Sequence, residues 1–95
     1  MIYYVDIDNT ICITTSADYS LSVPISSSID KINRLYDEGN TIVYYTARGG
    51  TTKTDWREHT EKQLKNWGCR YTSLDLSKPQ FDFIIDDKAQ KIDEL

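Results

Sequence analysis

Acidic residues stand at the ends of two apolar runs, one at the beginning of this 95-residue chain and one near its end. Asp6 and Asp8 lie at the end of the run 2–7, and the pair 86–87 follows the run 81–85. Short runs of β-branched and aromatic residues predict buried strands. Ligands of open parallel sheets bind outside the carboxyl ends of the strands. These carboxylates are therefore expected to meet at one edge of a sheet.

Carboxylates that share a pocket repel one another, so such a site needs a compensating cation. A divalent metal with oxygen ligands or a neighbouring basic side chain would serve, and Arg48 and Lys78 are the basic residues close to the strand ends. Because the chain has no cluster of His or Cys suited to zinc, Mg²⁺ is the expected cofactor.

The combination of paired acids, a hydroxyl and a lysine suits phosphoryl transfer. One carboxylate can attack phosphorus, and a second can protonate the leaving group and then activate water. Residues i and i+2 of an extended strand point the same way, so the spacing of Asp6 and Asp8 fits such a pair. Thr46 follows the next predicted strand directly and brings a hydroxyl to the same edge.

The elements that must position these residues alternate between strand and helix. After the run at the N-terminus, the periodicity predicts a loop over 9–28 and a helix over 28–38, with Ser27 as its N-cap and Gly39 as its stop. A strand over 41–45, a loop over 46–54 and a helix from Trp56 to Trp67, stopped by Gly68, are expected next. The last predicted elements are a short strand within 69–76, a strand over 81–85 and a weak helical turn in 88–95. This order predicts an α/β fold, a Rossmann-like three-layer sandwich with a mainly parallel sheet of about four strands covered on both faces.

Four short segments in this order resemble the motifs of the haloacid dehalogenase-like phosphohydrolases. Asp6-Ile7-Asp8-Asn9-Thr10 resembles motif I, Tyr45-Thr46-Ala47-Arg48-Gly49 is similar to motif II, Lys78 resembles the motif III lysine, and Ile84-Ile85-Asp86-Asp87-Lys88-Ala89 resembles motif IV. The resemblance spans residues 2–89.

The resemblance implies a catalytic role for four side chains. Asp6 would be the nucleophile, and Asp8 would be the general acid and base. Thr46 would hydrogen-bond the transferring phosphoryl group, and Lys78 would steady that group and Asp6. Members that cleave carbon–halogen bonds lack the second acid, so the presence of Asp8 indicates a phosphatase.

The same resemblance implies the metal and substrate contacts. The predicted Mg²⁺ ligands are Asp6, Asp8 through its backbone carbonyl, Asp86 and Asp87, the last either directly or through a water. Thr46, Ala47, Arg48 and Lys78 are the predicted substrate-binding residues. Arg48 could equally extend to solvent.

The expected domain organisation is a single phosphatase core over residues 1–95 without a cap domain. Neither of the family's usual cap positions has enough residues for a folded insertion. Water would then be excluded by the loop 11–24, by a neighbouring subunit in a homo-oligomer, or by a large substrate. Short capless relatives often resemble proteins of bacterial surface-polysaccharide synthesis, which suggests a sugar phosphate as the small phosphorylated substrate.

Composition narrows the possible partners. Fifteen acidic against eleven basic residues give a net charge of −4, which argues against general nucleic-acid binding. No apolar run is long enough to cross a membrane, and the N-terminus does not resemble a secretory signal. Cys12 and Cys69 lie far apart in the chain and form no C-x-x-C pattern, which favours reduced thiols in the core. A cytoplasmic location is therefore expected.

Two other function classes compete with a phosphatase. A non-catalytic or regulatory phosphate-binding module, such as a phospho-accepting receiver, also combines acids, a threonine and a lysine. Receivers carry the acidic pair after the first strand, however, whereas here it comes last. A glycosyltransferase that uses a D-x-D motif would need nucleotide and acceptor subsites, for which the chain is too short.

Overall fold

The computed structural model describes residues 1–49 and 55–95. Its elements, in chain order, are β1 (Ile2–Asp6), β2 (Cys12–Ile13), a 3₁₀ turn (Tyr19–Leu21), β3 (Val23–Pro24), α1 (Ser26–Asp37), β4 (Thr41–Tyr45), α2 (Arg57–Asn66), β5 (Ser73–Asp75) and a terminal 3₁₀ turn (Ile92–Glu94).

The central sheet contains three parallel strands in the order β1-β4-β5. Asp6 pairs with Tyr45, and Tyr45 pairs with Asp75, so the carboxyl ends of the three strands lie side by side. The predicted α/β fold with a small, mainly parallel sheet is confirmed, and strand β4 has the bounds that the sequence predicts.

Both helices pack on the same face of this sheet. Tyr3, Val5, Ile42, Tyr44 and Leu74 belong to one cluster with Ile29 and Ile32 of α1 and Leu64 of α2. On the opposite face, Ile2 and Tyr4 are exposed.

The expectation of three layers was therefore wrong for the described residues. The chain crosses from β1 to β4 and from β4 to β5 in the same direction, and right-handed crossovers in one direction put their helices on one side. A second helical layer would need a crossover in the opposite direction.

The helix ends are only partly as predicted. Gly39 and Gly68, the predicted stops, have φ angles of +96° and +73°, which glycine adopts without the strain that a Cβ would bring. The predicted Ser27 cap was wrong, because α1 begins at Ser26 and the residue before it, Ile25, makes no side-chain cap bond. Of the predicted loop over 46–54, residues 50–54 lie outside the described part of the chain.

The long polar segment after β1 contains more structure than the sequence predicts. Strands β2 and β3 pair antiparallel, Cys12 with Pro24 and Ile13 with Val23. The chain leaves β1 through a turn at Asn9, a non-glycine residue with a φ of +63°. This paired segment lies beside the carboxyl end of β1, because Ile11 N–H donates at 3.0 Å to the carbonyl of Ile7, the residue after β1.

Residues 79–90, which we call the arm, are exposed and form no strand. The predicted strand over 81–85, and with it a fourth parallel strand, is absent from the described sheet. Lys78 N–H donates to the carbonyl of Thr46 at 3.3 Å, so the arm starts at the carboxyl edge of the sheet.

Chain length explains the absence of this strand. A five-residue parallel strand has to begin at the opposite edge of the sheet, about 15 Å away. The three residue steps from Lys78 to Phe81 span at most about 11 Å. The chain is therefore too short to turn back and form the full strand beside its own β1.

Candidate active site

Asp6, the last residue of β1, is fixed by two donors. Lys78 Nζ lies 2.9 Å from Asp6 Oδ1, and Thr10 Oγ1 donates to Asp6 Oδ2 at 3.0 Å. The Asp6 side chain remains 36% exposed, so its carboxylate is accessible to a ligand. The structure thus pairs the predicted nucleophile with the predicted lysine.

Lys78 reaches Asp6 because its backbone is attached to the central strand. Thr46 N–H donates to Asp75 O at 2.9 Å, and the Thr46 carbonyl accepts from Lys78 N–H. The ammonium group lies 5.9 Å from the Tyr45 ring centre and 5.4 Å from that of Phe81, both within the range of cation–π attraction. These contacts hold a positive charge at the carboxyl end of β1.

Asp8 is held by Arg48 in a bidentate ion pair. Arg48 Nε donates to Asp8 Oδ2 at 3.0 Å, and Nη2 donates to Oδ1 at 2.8 Å. Thr14 Oγ1 also donates to Asp8 Oδ1 at 2.7 Å. Both oxygens of the predicted acid/base therefore already accept hydrogen bonds from the protein.

The Arg48 side chain is buried behind Asp8, with 0% exposure. Its Nη1 donates to Thr60 Oγ1 at 3.2 Å and to Gln63 Oε1 at 2.6 Å, and the guanidinium lies 4.6 Å from the Tyr19 ring centre. Arg48 thus joins α2 to the turn after β1. In this arrangement it contacts Asp8, and binding a substrate would require it to leave this buried position.

Thr46 is buried beside the candidate site. Its hydroxyl accepts from Arg48 N–H at 3.2 Å, so its own proton can be donated to another acceptor. Ala47 and Lys78 line an open depression of about 600 Å³, together with Pro79, Gln80, Phe81 and Asp82. This depression gives a ligand access to Lys78.

Asp86 and Asp87 lie in an exposed turn at the end of the arm. Lys88 N–H donates to Asp86 Oδ1 at 2.9 Å, and this bond, followed by one from Asp87, lowers the pKa of Asp86 below its usual value. Across residues 1–49 and 55–95, no hydrogen bond or ion pair joins either acid to Asp6, Asp8 or Lys78.

The donor set of a single chain does not fit a resident Mg²⁺ as it stands. Asp6 Oδ1 is engaged by a cationic side chain, and Asp8 is expected to offer only its backbone carbonyl. Within the described part of the chain, no group of three or more His, Cys, Asp or Glu side chains could hold a metal ion. Mg²⁺ usually binds through carboxylates with near-octahedral oxygen geometry. The acidic pair 86–87, which supplies the other two predicted ligands, has no hydrogen bond or ion pair to Asp6 among the described residues.

The sequence did not indicate the polar residues that bond Asp6, Asp8 and Arg48. Gln63 accepts from Arg48 and also donates to the carbonyl of Tyr19 at 2.6 Å, and Thr10 and Thr14 bond the two acids. Thr60 carried the clearest signal, because it is a polar residue on the helix face shared with Leu64 and Trp67. A buried hydroxyl on such a face requires a partner, and here the partner is Arg48.

The two cysteines are free thiols, as expected. Burial raises the pKa of Cys12, and burial raises the pKa of Cys69 to about 11. Neither described helix is both long and apolar enough to cross a membrane.

Comparison with known proteins identifies a shared fold. No protein-family model and no curated protein matches the chain. The crystal structure of a target protein from Vibrio cholerae matches with a TM-score of 0.87 and 24% sequence identity, over 98% of this chain and 85% of the Vibrio chain. The chain is therefore similar in fold to the Vibrio cholerae protein over almost its whole length.

Proposed function

We propose that this chain is a haloacid dehalogenase-like phosphomonoester hydrolase that acts through an aspartyl-phosphate on Asp6. The observation that carries the proposal is the contact between Asp6 Oδ1 and Lys78 Nζ at 2.9 Å, at an accessible strand end beside an open depression. A half-buried lysine paired to a more accessible strand-end carboxylate offers a nucleophile and a charge for the phosphoryl oxygens in one place.

In the first step, an Asp6 oxygen attacks the phosphorus of a bound ester. The bond from phosphorus to the leaving oxygen breaks, and that oxygen takes a proton. Lys78 neutralises part of the charge on the phosphoryl oxygens, and Thr10, which donates to Asp6 Oδ2, keeps the carboxylate oriented. Thr46 supplies a further hydroxyl proton close to the site.

In the second step, water attacks the phosphorus of the aspartyl-phosphate. The water gives up a proton, phosphate leaves and the Asp6 carboxylate returns. Asp8 is the proposed proton donor of the first step and acceptor of the second. To do so it has to give up at least one of its hydrogen bonds to Arg48 or Thr14.

Arg48 is a positioning residue in this proposal, because it acts through Asp8. Its Nε and Nη2 groups bind the two Asp8 oxygens, and its Nη1 group binds Thr60 and Gln63 of α2. The bidentate geometry limits how far Asp8 can rotate. Release of at least one of the Asp8 hydrogen bonds to Arg48 or Thr14 is therefore the conformational step that the proposed chemistry requires.

The proposed substrate is a small phosphorylated molecule, with sugar phosphates as the first class to test. The support is the open, partly polar depression at Lys78, which has room for a phosphate with a small polar group.

Release of inorganic phosphate from sugar phosphates, nucleotides and phosphopeptides, with and without Mg²⁺, tests the proposal. The wild type is expected to release phosphate from at least one class, and Asp6→Asn is expected to release none. Asp30→Asn, a change of an exposed acid on α1, serves as the matched control. Unchanged turnover in Asp6→Asn would refute the nucleophile.

A phospho-accepting module without turnover is the second candidate, and one observation favours it. Asp8, the group that would hydrolyse the intermediate, is bound at both oxygens by Arg48. If this pair never opens, a phosphate placed on Asp6 would persist. The two candidates differ in the lifetime of the phospho-protein, measured by intact-mass spectrometry after exposure to a small phosphodonor. In a hydrolase, the phospho-protein should accumulate in Asp8→Asn but not in the wild type.

A further inference from the structure

The arm exposes an apolar run without covering it. Phe81, Phe83, Ile84 and Ile85 are 46%, 88%, 60% and 100% exposed, respectively. No backbone hydrogen bond joins residues 79–90 to the sheet or to another element among the residues that the structure describes. Contiguous apolar surface of this kind marks an interaction site in soluble proteins.

The arm is attached to the body of the protein at both ends. Lys78 is tied to Thr46 and Asp6 at its start. Beyond its end, Ile92 packs against the core and its carbonyl accepts from Lys31 Nζ at 3.4 Å. A twelve-residue segment held at both ends can project about 20 Å and return. It can therefore reach a neighbouring molecule without the body of the protein unfolding.

One edge of the sheet offers a matching surface. Strand β1 pairs with β4 on one side, and no other described strand pairs with it. Ile2 and Tyr4 on its helix-free face are 69% and 61% exposed. A free strand edge beside apolar side chains accepts a further strand readily. The run 81–85 has the composition of such a strand, but it is too close in the chain to Lys78 to form the full strand on its own β1.

We propose that the arm of one molecule pairs with the free edge of β1 in a second copy of this chain, and that the exchange is mutual. The two apolar runs would remove about 500 Å² of exposed surface each. With an equal area on the receiving edges, about 2,000 Å² would be buried, which suffices for a stable dimer. Reciprocal pairing of this kind gives a closed two-fold assembly.

The exchange also supplies what the candidate site lacks in one chain. A strand that runs parallel to the neighbour's β1 ends with Asp86 and Asp87 at the neighbour's carboxyl edge, beside its Asp6. The acids that a single chain leaves in an exposed turn would then complete an oxygen-rich site. This part of the inference rests on the proposed function, whereas the pairing itself does not.

Sedimentation equilibrium over about 1–100 μM tests the pairing. We expect the wild type to be a dimer and Phe83→Asp/Ile85→Asp to be a monomer whose far-UV spectrum loses only the signal of the exchanged strand, because both side chains are exposed in the single chain. Leu21→Asp changes a side chain that is also exposed, at 68%, and should remain dimeric. A monomeric wild type, including one in which Phe83–Ile85 form a shorter strand on their own β1, overturns the proposal. A dimer that survives the arm substitutions overturns it as well.

Mixing two inactive variants tests the completed site. Asp6→Asn and Asp86→Asn/Asp87→Asn are refolded alone and together. In a mixed dimer with exchanged arms, one of the two sites has both the intact Asp6 and an intact arm, so about a quarter of the wild-type activity should return. If the wild type is an active dimer and the mixture recovers no activity, each arm completes the site of its own chain. This result overturns the exchange. If the wild type has no phosphatase activity, the proposed function fails while sedimentation still decides the pairing.

Discussion

Arg48 and Asp8, forty residues apart in the chain, form a two-bond fork with N–O distances of 3.0 and 2.8 Å. The guanidinium is fully buried, whereas the Asp8 side chain is 21% exposed. Arg48 thereby connects α2 to the turn that follows β1, through Thr60 and Gln63. The same fork decides where the proposed acid/base points.

We predict that the two residues are energetically coupled. Arg48→Met leaves Asp8 without its partner and should lower the free energy of unfolding by about 2–3 kcal/mol. In a double-mutant cycle with Asp8→Asn, the coupling energy should exceed about 1 kcal/mol. Urea denaturation of the four proteins measures it, and additive effects would contradict the buried fork.

Lys78 should matter for the reaction more than for stability. Lys78→Met removes a donor aimed at the reacting carboxylate and should lower kcat by about 100-fold or more. Because the ion pair with Asp6 is partly exposed, the loss of unfolding free energy should stay below about 1 kcal/mol. Lys65→Met, at an exposed lysine of α2, is the control for both measurements. An equal effect of the two substitutions on kcat would remove Lys78 from the mechanism.

The one-sided packing of the sheet predicts unequal costs for the same chemical change. Ile42→Ala, on the face that both helices cover, should cost about 2–4 kcal/mol of unfolding free energy. Ile2→Ala, on the helix-free face, should cost less than about 0.5 kcal/mol. Both are measured in the Phe83→Asp/Ile85→Asp background, so that no neighbouring arm covers Ile2. Similar losses would indicate that a second layer covers that face.

The Cys69 thiol should react slowly in the native protein. Burial raises its pKa from 9.0 to about 11, so at pH 8 the native thiolate fraction is lower than that of the unfolded chain by about 100-fold. Because the native pKa is the higher one, the stabilisation from this thiol is full below pH 9 and is lost as the pH rises towards 11. The rate of modification by a disulfide reagent, with Cys12→Ser to isolate Cys69, gives the measurement. A native rate equal to the denatured rate would contradict the burial.

The short-range features of this protein could be predicted from its sequence. Strand β4 and the carboxyl-terminal ends of both helices follow from patterns within about a dozen residues, because strand and helix periods and the backbone freedom of Gly39 and Gly68 are local properties. The motif resemblance also implied that Lys78 meets Asp6, and the structure places the two side chains 2.9 Å apart.

Arg48 marks the limit of that reasoning. Its position after β4 was clear from the sequence, but nothing in the pattern indicates whether a guanidinium faces a substrate or an internal acid. The tertiary structure decided this by placing Asp8, Thr60 and Gln63 around it, and a buried charge must be paired.

The arm also shows which features are local and which depend on the tertiary structure. The composition of residues 81–85 indicates a strand by itself, because β-branched and aromatic residues favour extended backbone. The three residue steps from Lys78 to Phe81 are too few to return to the start of β1. Both helices lie on one face of the sheet because the two crossovers run in one direction. The sequence by itself thus determined strand β4, the carboxyl-terminal ends of both helices and which polar side chains follow the strands. Only the tertiary structure decided which edge, face and partner each one meets, because reach, handedness and charge pairing depend on residues distant in the chain.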